Sequence, residues 1–345
     1  MQHGAQPLDE AVGVGELREV DQELHAGVGG VHALPAGPRG PGEPPGQGTL
    51  GQQSDAVHAS SVLILSTRQS PPWQESVVAV IQWQQRHIDD RAPPGTMRAM
   101  TAATTDPLAP LLDLPGVAEG AESIRRHVEA VHAHRTNRRG WPTTAAEATV
   151  RAARASAALD GGSADLPEDG PVTDPVLAGA LRVAEALGGL LPTWRRAPLQ
   201  ALAKLHVLAA TDRVPESELG RPRVGPEVGA RLDGLAGLVA GGTSVPGPVL
   251  VGVVHGELLA LAPFTVGNGI VARAAARLTA ISTGLDPKGL VVPEVGHLRA
   301  QAEYTAAAAA FATGTGDGLA RWFAHEVTAW RTGAKEATGI ADAAG

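Results

Sequence analysis

The sequence predicts an all-α helical bundle, with at most a short β-hairpin, over residues 99–345. Three observations predict it. Apolar residues recur at i, i+3 and i+4 in alanine-rich stretches, the spacing of one buried helix face. Helix start signals stand where those stretches begin, as at Asp174-Pro175, an N-cap followed by proline at the first helical position. Candidate strands are few and short.

The elements follow in order. "VAEGAESIRRHVEAVHAH" is amphipathic, and "TTAAEATVRAARASAAL" opens on a capping-box pattern, Thr144 with Glu147 three residues on. "DPVLAGALRVAEALGGLL", "APLQALAKLHVLAA", "PEVGARLDGLAGLVA" and "GPVLVGVVHGELLAL" continue the series. Val253, Val254, Glu257, Leu258 and Leu261 share a face of the last of these, which ends near Pro263. Beyond a glycine-rich turn come "NGIVARAAARLTAIS", "PEVGHLRAQAEYTAAAAAFATG" and "GLARWFAHEVTAWRTGA". Trp322, Phe323 and Trp330 are expected to pack the final helix.

Residues 1–98 differ in character. "HALPAGPRGPGEPPGQGTLGQQ" is rich in Pro and Gly and has no apolar period, so it cannot offset its ordering entropy with a core. "SVLILS" and "SVVAVIQW" are short apolar runs with no evident pairing partner. Two readings fit: a disordered segment, or a start codon placed upstream of a true start at Met97 or Met100.

Composition narrows function. The chain has no cysteine, which removes disulfides, thiol nucleophiles and thiolate metal sites. A net charge of -8 argues against general nucleic-acid binding, which needs clustered Lys and Arg. The start, "MQHGAQPLDE", lacks the basic and apolar regions of a signal peptide. No uninterrupted apolar run approaches the roughly 20 residues of a membrane span. A cytoplasmic protein without membrane partners is the resulting expectation, with its oligomeric state open.

Chemistry concentrates at "LLALAPFTVGNGIVARAAARL", Leu258 to Leu278. Glycines at 267 and 269 allow close backbone approach to a ligand. The free N–H groups and positive dipole end of the following helix favour an anion. Arg273 and Arg277 lie in its first turns, where either could add charge-assisted hydrogen bonds. The alternative is a plain interhelical turn with solvated arginines. Gly267-Asn-Gly269-Ile-Val-Ala272 also fits the G-x-G-x-x-A form of a dinucleotide fingerprint, with Asp286 near the ribose-binding distance. An NAD(P)-dependent oxidoreductase would need a strand ahead of Gly267, where the period is helical.

The residues resemble those of the Fic or Fido proteins, whose motif reads His-Pro-Phe-x-Asp/Glu-Gly-Asn-Gly-Arg-x-x-Arg. Here the same register reads "APFTVGNGIVAR", matching at Pro263, Phe264, Gly267, Asn268, Gly269 and Arg273. His255, Leu258 and Leu261 stand at the expected offsets, and "LAKLHVLAATDRVPESELGRPR" is similar to the family's Leu-His helix and the Gly-x-x-Arg segment after it. "PEVGHLRAQAEY" resembles the tails of an actinobacterial group of such proteins. The resemblance implies a Fido-like fold and a nucleotide, ATP or another, as ligand.

It also implies impaired catalysis. Ala262 replaces the motif His, the base that takes the target hydroxyl's proton. Val266 replaces the acid that holds Mg²⁺, and Ile270 replaces the first phosphate-steadying Arg. Loss of a general base typically costs about 10²–10⁴ in rate. No catalytic residue and no metal ligand is therefore assigned, and Gly267, Asn268, Gly269 and Arg273 remain as a phosphate pocket, or as a docking point for a protein partner. An active AMPylation-type transferase with altered chemistry is the alternative.

Within "SAALDGG", Ser156, Asp160 and Gly161 match the family's inhibitory Ser/Thr-x-x-x-Glu-Gly helix, whose Glu pairs with the last motif Arg. Asp is shorter by about 1.5 Å, so the implied pair with Arg273 is loose or water-bridged. The competing reading is a helix end with Gly161 as cap and Asp160 in solvent. His206, His255, His297 and His325 each stand alone on a helix, and none pairs at i, i+4 as a metal site on one helix would. "HAHRTNRRGW" and "WRR" read as solvated segments, and "GTGDG" as a turn without the lysine of a phosphate loop.

Overall fold

The computed structural model describes residues 106–345, so both readings of the segment 1–98 lie outside the described residues. After a 3-10 turn at Ala109–Asp113 come α1 (Val117–Ala133), α2 (Arg135–Arg139), α3 (Trp141–Leu159), α4 (Pro175–Arg196) and α5 (Pro198–Ala210). They are followed by α6 (Pro226–Gly237), α7 (Gly247–Leu261), α8 (Asn268–Ser282), α9 (Pro293–Arg299), α10 (Gln301–Phe311) and α11 (Gly316–Ala343). Among the described residues there is no strand, so the hairpin allowed for by the sequence is absent there.

The fold is built round α7. Apolar apart from His255 and Glu257, it buries every residue except Gly247, Leu259 and Ala260, as expected of a central helix. Gly252 and Gly256, one turn apart, make room for two rings. A Cβ at Gly252 would lie 2.6 Å from the Phe323 ring, and one at Gly256 would lie 2.8 Å from that of Phe311. Trp322 of α11 donates its indole N–H to the Gly252 carbonyl at 2.9 Å, satisfying the one polar atom this buried ring carries. On another side α7 packs along α8, which is buried from Ile270 through Ala280.

Two boundaries differ from the sequence reading. Thr144 is not an N-cap: α3 starts a turn earlier, at Trp141, with Pro142 in its first positions. The Thr144 hydroxyl, buried inside the helix, donates to Asn137 Oδ1 at 2.7 Å, and Glu147 pairs with Arg151 instead. The helix expected over 293–314 is broken at Ala300, giving α9 and α10. The start of α4 holds, with Asp174 accepting the Leu177 N–H at 2.7 Å.

By length and composition α4 is apolar enough to cross a bilayer, although charged residues interrupt its apolar run. It carries Arg182 and Glu185 near its middle. Leu177, Gly179, Ala180, Val183, Leu187 and Trp194 form its buried face. A Cβ at Gly179 would lie 2.3 Å from the Ala209 carbonyl, so α4 and α5 touch backbone to backbone.

Candidate functional site

The turn between α7 and α8 is set by three local devices. Ala262 caps α7 with φ 43° and ψ 62°, the left-handed region, and is the one non-glycine with positive φ among the described residues. Such a residue costs roughly 1–2 kcal/mol, and Arg223 helps to hold it there. Arg223 donates to the Ala262 and Leu261 carbonyls at 3.0 and 2.8 Å, and its own N–H reaches the Pro263 carbonyl at 2.7 Å. Asn268 then clamps Phe264, accepting from its N–H at 2.9 Å and donating to its carbonyl at 2.8 Å. Gly267 turns the chain at φ 72°. Asn268 thus braces the loop with its side chain.

Phe264 is held from below by His206, whose ring stacks on it at 4.0 Å between centroids. The His206 Nδ1 accepts the Gly220 N–H at 2.9 Å, which places the proton on Nε2. Burial lowers this imidazole below the usual 6.5, opposed in part by the neighbouring Val266 backbone. The unfolded chain therefore binds the proton first as pH falls, and the stability from neutral His206 is present above 6.5 and lost below it. Urea unfolding midpoints are expected to fall between pH 7 and 5.5. The His206→Asn variant, which keeps an acceptor, is expected to show a smaller fall over the same range, and an equal fall would remove His206 from the account.

The N-terminus of α8 has no cap of its own, because Gly267 carries no side chain. Its donor at the third position goes to a residue 110 positions away: the Asp160 carboxylate accepts the Ile270 N–H at 3.3 Å. The same carboxylate accepts from Arg273 Nη2 at 2.5 Å. Asp160 reaches this seat because α3 ends there in a glycine cap. Gly161 adopts φ 82°, its N–H bonds the Ala158 carbonyl, and Gly162 bonds Ala157. The approach also needs glycine at 269, where a Cβ would stand 2.1 Å from Asp160 Oδ1.

The glycine cap and the Asp160 contact occur together in this segment. Gly161 does cap the helix, yet Asp160 is engaged rather than in solvent. The contact with Arg273 is direct, where a looser or water-bridged pair was expected. Arg273, 4% exposed, is fully committed: Nε to the Ser156 hydroxyl at 2.8 Å, Nη2 to the Ser156 carbonyl at 2.9 Å, and Nη1 to the Tyr304 hydroxyl at 3.3 Å. The two cavities that touch Arg273 are about 20 Å³ each, room for a water but not for a nucleotide.

Other expected residues lie elsewhere. Arg277 faces away from the turn and donates to the Gly289 and Val291 carbonyls and to Glu294. Asp286 is buried and organises the same stretch, accepting from the Leu290 and Val291 N–H groups and contacting His132. Neither reaches the anion seat. Helix α7, not a strand, precedes Gly267, so the context that a dinucleotide fingerprint requires is missing. One residue was missed: Arg213 Nη1 is buried without a hydrogen-bond partner and lies 3.6 Å from where a Gly267 Cβ would stand.

Behind Arg273 three of the four histidines read as solitary come together. His255 Nε2 meets the Tyr304 hydroxyl at 2.8 Å and its Nδ1 meets Glu326 at 2.9 Å. His297 Nδ1 meets His325 Nε2 at 3.0 Å. Burial pushes the Tyr304 phenol up to about 12, so it remains a neutral donor at physiological pH. A chain of contacts runs from Asp160 through Arg273, Tyr304 and His255 to Glu326.

No protein-family description matches this sequence, and no curated protein does so either. Solved structures do match. A Fic family protein from Desulfovibrio desulfuricans superposes with a TM-score of 0.53 at 18% identity, over 72% of this chain and 77% of that one. Fic-1 from C. elegans (residues 134–508) gives 0.50 at 18% identity, over 68% and 74%, and a point variant of it gives 0.52 at 17% over the same shares. The described chain has the all-helical fold of the Fic proteins.

Proposed function

We propose that this is a non-catalytic Fic-fold protein that binds a nucleotide or other phosphate at the Gly267–Arg273 turn, with Asp160 as an internal competitor for the same seat. The observation that carries the reading is the Asp160 carboxylate on the Ile270 N–H and on Arg273. A helix N-terminus beside a guanidinium selects an oxyanion, and a phosphate oxygen offers the charge and acceptors that Asp160 now supplies. Arg213, with a buried and unpartnered nitrogen beside Gly267, adds a second cation that a phosphate would satisfy.

Catalysis is disfavoured by chemistry at three positions. Ala262 has no proton-accepting group, Val266 cannot hold Mg²⁺, and Ile270 is apolar. The nearby imidazole, His255, is buried and uses both ring nitrogens on Tyr304 and Glu326. The AMPylating alternative therefore lacks a base, and no transfer of labelled nucleotide to protein is expected.

Calorimetric titration of the full chain with ATP, GTP, ADP and NAD tests the reading. Asp160→Ala is expected to tighten nucleotide binding at least tenfold, about 1.4 kcal/mol, and Arg273→Ala to abolish it. Failure of all four ligands to bind either wild type or Asp160→Ala would sink the proposal and turn the search to a protein partner.

A further inference from the structure

Three helices bring metal-ligand chemistry to one point in the core. His255 on α7, His297 on α9 and Glu326 on α11 each present a ligand atom, and these atoms all lie within 4.8 Å of one another. All three residues are at most 2% exposed. The same three line a cavity of about 20 Å³, the room taken by a single water or ion.

The outer atoms of this set are already held. His255 Nε2 bonds the Tyr304 hydroxyl, His297 Nδ1 bonds His325, and Glu326 Oε2 accepts the Trp330 indole N–H at 3.1 Å. Metal-bound histidines show this arrangement: the nitrogen away from the ion is tied to a second group that fixes ring and tautomer. On the inner side His255 Nδ1 and Glu326 Oε1 stand 2.9 Å apart, about half an ångström less than the roughly 3.4 Å between ligands of a tetrahedral ion with bonds of about 2.1 Å, so a small spreading of the pair admits one.

Charge points the same way. Buried carboxylates are normally paired with a cation or bound to a metal. Arg273 and Arg277 also line the cavity, but each has its own acid, Asp160 and Glu294. Asp286 contacts His132. Glu326, at 1% exposure, has His255 and Trp330 as its hydrogen-bond partners, neither of them Arg or Lys. We propose that His255, His297 and Glu326 bind one divalent transition-metal ion of the zinc class, a set of two imidazoles and one carboxylate that leaves a coordination position open.

The full chain, stripped with a chelator and dialysed, is titrated with Co²⁺ as a spectroscopic stand-in and then with Zn²⁺. One ion per chain is expected by elemental analysis, with visible Co²⁺ bands that Zn²⁺ abolishes and a rise in melting temperature. His297→Gln and Glu326→Gln are each expected to weaken binding at least 100-fold. His325→Gln, which removes only a supporting group, should weaken it about 10- to 100-fold. Circular dichroism checks that each variant is folded. Where one is not, X-ray absorption of the Co²⁺-loaded wild type reads the ligands directly, and a shell without two imidazoles overturns the proposal. So does wild type that takes up no Co²⁺, or Co²⁺ binding unchanged in the folded variants.

Discussion

Arg273→Met is expected to destabilise the chain by about 3–5 kcal/mol, the cost of breaking a buried ion pair from one side. Methionine keeps the apolar stem but stops short of the guanidinium, so the loss is the fork's ion pair and hydrogen bonds together with a small unfilled space. It strands the Asp160 carboxylate, the Ser156 hydroxyl and carbonyl, and the Tyr304 hydroxyl together. Arg273→Lys should rescue little, because one ammonium cannot reproduce a planar fork that reaches three residues. Asp160→Asn should cost less, about 1.5–3 kcal/mol, since its side chain is 14% exposed and water can take up freed donors. Urea denaturation with fitted slopes separates these values. An Arg273→Met cost below that of Asp160→Asn would mean that the guanidinium is not the hub of the network.

This ranking explains what could be read from the sequence. Helix existence was legible because it depends on neighbours three and four positions apart, as in α7 and α8. The fingerprint's weakness was legible too, since a helical period ahead of Gly267 argues against a strand there. The contact of Asp160 with Arg273, 113 positions apart, has no local signal at all. Motif resemblance alone points to it, and the direct contact is possible because the bare backbone of Gly269 offsets the shorter reach of Asp. Thr144 misled because its capping pattern is equally satisfied inside a helix when Asn137 lies within reach. The histidine cluster was hidden for a stricter reason: His255 and Glu326 are 71 residues apart on different helices, and spacing along one helix carries no trace of such a pairing.

The second large effect lies beneath the turn, where Arg231 of α6 and Glu257 of α7 meet at 2.6 Å with exposures of 2% and 0%. Arg231→Met is expected to cost about 3–5 kcal/mol, whereas Arg231→Met with Glu257→Leu should recover most of it, because a well-packed apolar pair replaces a buried ionic one at little net cost. The single variant also carries a pH signature. Burial raises the Glu257 carboxyl above its usual 4.5, and Arg231 is what pulls it back. Without Arg231 the folded state holds the proton to higher pH than the unfolded chain does. Its stability is then greatest below 4.5 and is lost as pH rises through the folded value. The deficit of Arg231→Met relative to wild type should therefore be larger at pH 8 than at pH 5, and the double variant should not show that dependence. A deficit independent of pH would assign the role of Arg231 to packing, with its guanidinium covering the α6–α7 seam rather than neutralising Glu257.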